Sequence, residues 1–206
     1  DTSFTVANGD VGNLLNNASD VEGDALSISG YSIAGITGTQ AVGAPVTIPG
    51  IGILTINANG SYSFNPVLNY NGVVPTITYT ISDGNGGIDT STLNLIVTAV
   101  NDAPVDADES NALDEDTSFT VANGDVGNLL NNATDIDGDA LSITGYSIAG
   151  INGTQAVGEP VNIPGIGSLI INANGSYSFN PALNYNGAVP TITYTISDGN
   201  GGIDTS

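Results

Sequence analysis

The chain of 206 residues carries 21 Asp and Glu but no Lys, Arg or His, a formal charge of −21. Phosphate recognition needs cations, which excludes nucleic acid and anionic membrane surfaces as natural partners. Cys is absent too, so only carboxylates and hydroxyls remain for acid–base or nucleophilic work, and an enzyme is not expected.

Apolar residues make up 40% of the chain, with eight Tyr and four Phe, enough to build a core rather than a disordered acidic tail. Residues 3–6 read as a first short strand. Residues 11–18 follow as a helical turn at most, since Gly12 and three Asn oppose a longer helix. The loop Asp20-Val21-Glu22-Gly23-Asp24 comes next, then strands over 25–32 and 46–48. Leu54-Thr55-Ile56-Asn57 and Ser61-Tyr62-Ser63-Phe64 flank Ala58-Asn59-Gly60, and Asn-Gly between alternating runs is a strong hairpin signal. Thr76-Ile77-Thr78-Tyr79-Thr80-Ile81 alternates, placing Ile77, Tyr79 and Ile81 on one face. After the turn Asp83-Gly84-Asn85-Gly86-Gly87, the run Leu93-Asn94-Leu95-Ile96-Val97 is expected as its return strand. About seven short strands with frequent turns predict an all-β fold, an antiparallel Ig-like sandwich.

At Asn101-Asp102-Ala103-Pro104 the pattern stops, and Pro marks a seam that Asp106, Asp108 and Glu109 make acidic. Beyond it the first pattern returns. Residues 1–91 align without gaps to 116–206, with 80 of 91 pairs identical. Near-identical tandem copies lengthen a structure or multiply a weak contact, whereas one good active site suffices. The domains read as 1–100, a first sandwich; 101–115, the acidic seam and first strand of the second; and 116–206, the second sandwich. Repeat 1 has no counterpart of 105–115 and repeat 2 none of 92–100, so a segment of a longer array is expected. The sequence shows no signal peptide, lipidation motif or apolar run of membrane-spanning length.

The chemistry lies in the acidic loops. Asp20, Glu22 and Asp24 recur as Asp135, Asp137 and Asp139 around Gly23 and Gly138. Alternate acids aim several oxygens at one point while Gly permits the sharp turn, the arrangement that wraps a hard cation such as Ca²⁺. Like charges at 4 Å repel by about 1 kcal/mol per pair even in water, and no cation in the sequence relieves this. The second loop, Asp83 and Asn85 with copies Asp198 and Asn200, adds a carboxylate and an amide, although Asp-Gly-Asn-Gly-Gly is also an ordinary hairpin turn. Strand parity leaves open whether the two loops share a pole. Counting residues 3–18 as two strands joins them, and counting one separates them.

The succession Asp135-Ile136-Asp137-Gly138-Asp139, Asn174-Gly175-Ser176-Tyr177-Ser178-Phe179-Asn180-Pro181, Asn184-Tyr185-Asn186-Gly187 and Tyr194-Thr195-Ile196-Ser197-Asp198-Gly199-Asn200-Gly201-Gly202 resembles the bacterial cadherin-like repeats of the extender regions of giant RTX-type surface adhesins. The seam ending in Asn101-Asp102-Ala103-Pro104 is similar to a cadherin linker. The resemblance implies sandwiches joined end to end, with Ca²⁺ near each junction and both acidic loops facing the seam. It places Asp135, Asp137, Asp139, Asp198 and Asn200 with Asn101 and Asp102. Asp20, Glu22, Asp24, Asp83 and Asn85 would then face a preceding domain. Glu115 matches the early Glu of a cadherin repeat, whereas the family's Asp-Arg-Glu is replaced by Asn69-Tyr70-Asn71-Gly72. The implied function is a Ca²⁺-stiffened extender on the bacterial surface, partnered by neighbouring repeats. Alternatives are a glycan- or ice-binding module using Tyr70 and Tyr185, or a filament subunit associating through an unpaired strand edge.

Overall fold

Inward-facing Ile77, Tyr79 and Ile81 are buried, and the Thr and Ser between them are not. The same period of two marks Gly52–Ile56, Gly167–Ile171 and Ile192–Ser197 and sets one face of each strand on the core. A computed structural model describes residues 2–206, with no helix among them. Two units divide between Ala99 and Val100.

The first unit contains β1 (Phe4–Val6), β2 (Ser27–Ile33), β3 (Val46–Ile48), β4 (Gly52–Ile56), β5 (Tyr62–Pro66), β6 (Gly72–Val73), β7 (Ile77–Ser82), β8 (Ile88–Leu93) and β9 (Ile96–Val97). One sheet has the order β1-β5-β4-β3, a second β2-β7-β8, and β6 pairs with β9. The second unit repeats the plan with β10 (Phe119–Val121), β11 (Ser142–Ile148), β12 (Val161–Ile163), β13 (Gly167–Ile171), β14 (Tyr177–Pro181), β15 (Ile192–Ser197) and β16 (Ile203–Thr205). Its sheets are β10-β14-β13-β12 and β11-β15-β16. Leu54, Ile56 and Phe64 from one sheet share a core with Ile28, Ile33 and Ile77 from the other. Fully burying each such side chain contributes about 1.5–3 kcal/mol. The fold is all-β, with two tandem antiparallel sandwiches.

Two expectations are corrected. The return strand of the Asp83–Gly87 turn is β8, which starts at once through the pair Ser82↔Ile88; of the 93–97 run only Leu93 stays on it, opposite Ile77, and Ile96 and Val97 join β6. Residues 11–18 go no further than successive i to i+3 turns, in keeping with the reading of a helical turn at most, and the buried Asn13 bonds outward, its amide to Ala7 O and Asn59 O. Residues 101–115 hold no strand, only the bridge Val105↔Thr134, because Pro104 lacks a donor and the Asp106 N–H goes to Asp204 Oδ2 at 2.8 Å instead. Among the described residues the second unit has the seven strands expected, and the first has nine, counting the short β6 and β9.

The pole of the acidic loops is set elsewhere than residues 3–18. Between β2 and β3 the chain returns along β2, bridging Gln40 to Tyr31, with Gln40 N–H on Tyr31 O at 2.6 Å. That extra pass brings both acidic loops to one end, where the pair Ser27↔Ser82 sits between them.

Candidate metal centre

Each acidic loop is organised by its first Asp. In the second unit Asp135 Oδ1 accepts the N–H of Asp137 at 2.9 Å and of Asp139 at 3.2 Å. Gly138 takes φ +80°, which turns the loop back on itself. In the first unit Asp20 Oδ1 accepts Asp24 N–H at 2.9 Å. The register of the central strands then lays the neighbouring hairpin against the loop. Asn85 donates its amide to Asp24 Oδ2 at 2.7 Å, and Asn200 does the same to Asp139 Oδ2 at 2.8 Å.

The two units gather different carboxylates. Asp135, Asp137 and Asp139 place one oxygen each within 4.8 Å of one another, whereas in the first unit the trio is Asp20, Asp24 and Asp83. Glu22 is exposed and stands outside its cluster. Position 137 is Asp where its copy, position 22, is the longer Glu, and residues 101 and 102 bond to the second cluster. Asp102 N–H binds Asp137 Oδ2 at 2.7 Å, drawing it in. Asn101 donates its amide to Asp198 Oδ2 at 2.7 Å. Asp198 Oδ1 in turn accepts N–H groups of Asn200, Gly201 and Gly202 at 2.7, 3.0 and 3.0 Å. The Asn101 bond and then these backbone bonds hold the Asp198 carboxyl below the usual Asp range, against the opposing effect of burial. Asp198 is thus buried as a clamp on residues 101–102, with its oxygens engaged by N–H donors.

Gly202 shows how closely that clamp is packed. A Cβ there would lie 2.8 Å from Ala103 Cα and 2.9 Å from Asp102 O, besides meeting the Asp198 carboxylate.

A divalent hard cation fits the donor set. The oxygens are carboxylate, with no nitrogen or sulfur ligand nearby, and Asp135 Oδ2 is buried without a hydrogen-bond partner. At Ca²⁺–oxygen distances of about 2.3–2.6 Å, two ligand oxygens are at most about 5 Å apart, a span that the clusters meet.

Glu115 lies away from this centre. It accepts from the Asn186 amide at 3.2 Å, in the loop before β15, while Asp198 follows that strand. Tyr70 and Tyr185 are half-buried, and their hydroxyls donate to Val73 O and Ala188 O in their own loops at 2.8 and 2.7 Å.

A second polar cluster fastens residues 105–109. The Tyr194 hydroxyl meets Asp106 Oδ2 at 2.8 Å, Glu109 Oε2, and Leu129 O at 3.3 Å. One hydroxyl proton cannot serve three acceptors. Burial pushes the Glu109 carboxyl up; the Tyr194 hydrogen bond opposes this, and neighbouring Asp106 adds to it. Sequence reading missed Tyr194. Its signal was a Tyr alternating with Ile on an inward face, since a buried phenol needs a partner.

The family model for the bacterial cadherin-like domain matches the chain twice, over residues 1–99 and 101–206. No curated protein matches it. That family is a structural and adhesive one rather than a catalytic one.

Proposed function

Because the chain belongs to the family of bacterial cadherin-like domains, we propose that it is a calcium-rigidified extender module of a secreted or cell-surface adhesin of the RTX type. In this role it carries distal binding domains away from the cell in adhesion or biofilm formation. The observation that carries the reading is the contact of Asp102 N–H with Asp137 Oδ2 at 2.7 Å, which joins the acidic loop to the seam residues. Asp135, Asp137 and Asp139 hold Ca²⁺ in the second unit, and Asp20, Asp24 and Asp83 in the first. The ion supplies charge neutralisation.

The function is mechanical. Clustered carboxylates loosen the seam by repulsion, and neutralising them fixes residues 101–104 against the loop. Ordering costs on the order of 1–2 kcal/mol per residue fixed, which several metal–oxygen bonds offset. Extracellular Ca²⁺ modules bind at about 10⁻⁴–10⁻³ M, so millimolar calcium outside a cell fills such sites. The neighbouring repeats of the same chain are the partners. Tyr70 and Tyr185 spend their hydroxyls on their own loops, which weakens the glycan- or ice-binding alternative.

Solution scattering and thermal melts in EDTA, Ca²⁺ and Mg²⁺ test the reading. Ca²⁺ is expected to raise the melting temperature and lengthen the scattering envelope, with Mg²⁺ doing neither. Superimposable profiles in EDTA and Ca²⁺ would sink the extender function.

A further inference from the structure

Nine Asn-Gly pairs punctuate the chain, and two of them stand at the rim of a carboxylate cluster. The Asn85 amide donates to Asp24 Oδ2 at 2.7 Å, and the Asn200 amide to Asp139 Oδ2 at 2.8 Å. An amide nitrogen offers a carboxylate only donors, so each Asn relieves the acid it touches. Both Asn and the glycines that follow them are exposed. Gly86 and Gly201 take φ +107° and +113°, with open space where a Cβ would stand. No side chain at these positions obstructs the approach of the glycine nitrogen to the Asn side-chain carbonyl. Local sequence does not distinguish the two turns, because residues 81–91 and 196–206 are identical. Their hydrogen bonds do. Gly201 N–H is tied to Asp198 Oδ1 at 3.0 Å. Among the described residues no acceptor takes Gly86 N–H, while its neighbours Asn85 and Gly87 donate to Asp83 Oδ1 at 2.7 and 2.9 Å.

We propose that Asn85 is a site of spontaneous deamidation, which turns the donor at the rim of the first cluster into a further carboxylate. The Gly86 backbone nitrogen attacks Asn85 Cγ and loses its proton to water. The new N–Cγ bond forms, the Cγ–Nδ2 bond breaks, and the side-chain nitrogen leaves as ammonia. Water then opens the cyclic imide at either carbonyl, leaving aspartate or isoaspartate. Neither step needs an oxidant, a reductant or an enzyme. The unengaged Gly86 N–H is ready to turn toward Cγ, whereas Gly201 must first break its bond to Asp198, which makes Asn200 the slow copy. The product carboxylate faces Asp24 where an N–H donor stood. Like charges at that range repel, so without metal the cluster loses stability. A hard cation gains a charged ligand, and ligand charge tunes Ca²⁺ affinity. The calcium consequence rests on the extender reading, and the conversion itself does not.

The experiment ages the full chain at mildly alkaline pH in EDTA and digests it with chymotrypsin. Cuts after Tyr79, Leu93 and Tyr194 yield residues 80–93 and 195–206 as peptides of different mass, each with a single Asn. Mass spectrometry should find the amide-to-acid mass gain in 80–93 ahead of 195–206. The chain aged in guanidinium should convert both at one rate, because their sequences match. Asn85→Gln, whose longer side chain closes the ring far more slowly, should keep its mass. Asn85→Asp should melt below the parent in EDTA and bind Ca²⁺ about fivefold more tightly by calorimetry. No mass gain in 80–93 over a time in which the unfolded chain converts would overturn the proposal, as would equal conversion of both peptides in the folded chain. An Asn85→Asp variant that binds Ca²⁺ more weakly than the parent would overturn it too. A parent without any Ca²⁺ response would sink the extender reading instead, and the mass measurement alone would then decide whether Asn85 converts.

Discussion

Asn101 and Asp198, 97 residues apart in sequence, are joined by a 2.7 Å bond from the Asn101 amide to Asp198 Oδ2. The bond makes the seam residue part of the second unit's acidic end. It also gives Asp198 a different task from its copy Asp83, which joins the carboxylate trio of the first unit.

Asn101→Ala removes the leading cause of the lowered Asp198 pKa. A carboxyl held below its usual range contributes stability above the unfolded-state value of about 3.9, and loses it as the pH falls through the lower folded value. The variant should therefore begin acid unfolding of the second unit at higher pH than the parent, measured by intrinsic Tyr fluorescence in EDTA. The first unit should not move. Coincident acid transitions would show that the bond is solvent-screened.

Gly202→Ala tests the packing of the clamp. The new methyl would press on backbone, Ala103 Cα at 2.8 Å and Asp102 O at 2.9 Å. Overpacking of this kind costs about 1–3 kcal/mol. At Gly87 the three atoms nearest to the copy of this methyl all belong to the Asp83 side chain, not to backbone, so Gly87→Ala should cost less. Urea melts of the two variants, with m-values compared, check the difference.

Glu109→Gln should raise the melting temperature of the second unit at neutral pH relative to the parent. The sign follows from the raised carboxyl. Its contribution is complete below the unfolded-state value of about 4.3 and is lost as the pH rises through the higher folded value. Gln keeps a donor toward Tyr194 at every pH, so the gain should vanish in acid. Tyr194→Phe should be the costlier change, leaving Asp106 and Glu109 without their shared partner. Among the described residues the matching Tyr79 hydroxyl donates to Leu14 O at 3.2 Å, and Tyr79→Phe should cost about 0.5–1.5 kcal/mol.

Local alternation made most of the strands readable, because inward Ile28, Leu54, Phe64 and Ile77 repeat with period two. The repeat identified the acidic loops. What the sequence hid was non-local. Whether Asp24 and Asp83 share a pole turned on a return pass through Gln40, a residue without strand neighbours of its own. The run 93–97 alternates well enough to be the partner of β7, yet the five-residue turn had already set Ile88 against Ser82. Asp137 joins its cluster while Glu22 does not, and this could not be read from near-identical loops. In the second unit the shorter Asp137 is met by Asp102 N–H, arriving from 35 residues away.

That asymmetry gives the most direct test of the metal centre. Ca²⁺ at 10 mM acting on a site of Kd about 1 mM stabilises by roughly 1.4 kcal/mol. Asp137→Asn removes one of three clustered carboxylates and should erase most of the second unit's Ca²⁺-induced rise in melting temperature. Glu22→Gln occupies the same place in the first loop but lies outside the trio, and should leave the first unit's response nearly intact. Asp83→Asn should diminish the first unit's response more than Glu22→Gln does. Calorimetric titration of each variant separates ion affinity from any change in apo stability. Equal losses from Glu22→Gln and Asp137→Asn would mean that both loops bind through all three of their own acids, and that the seam contact at Asp102 does not select the ligands.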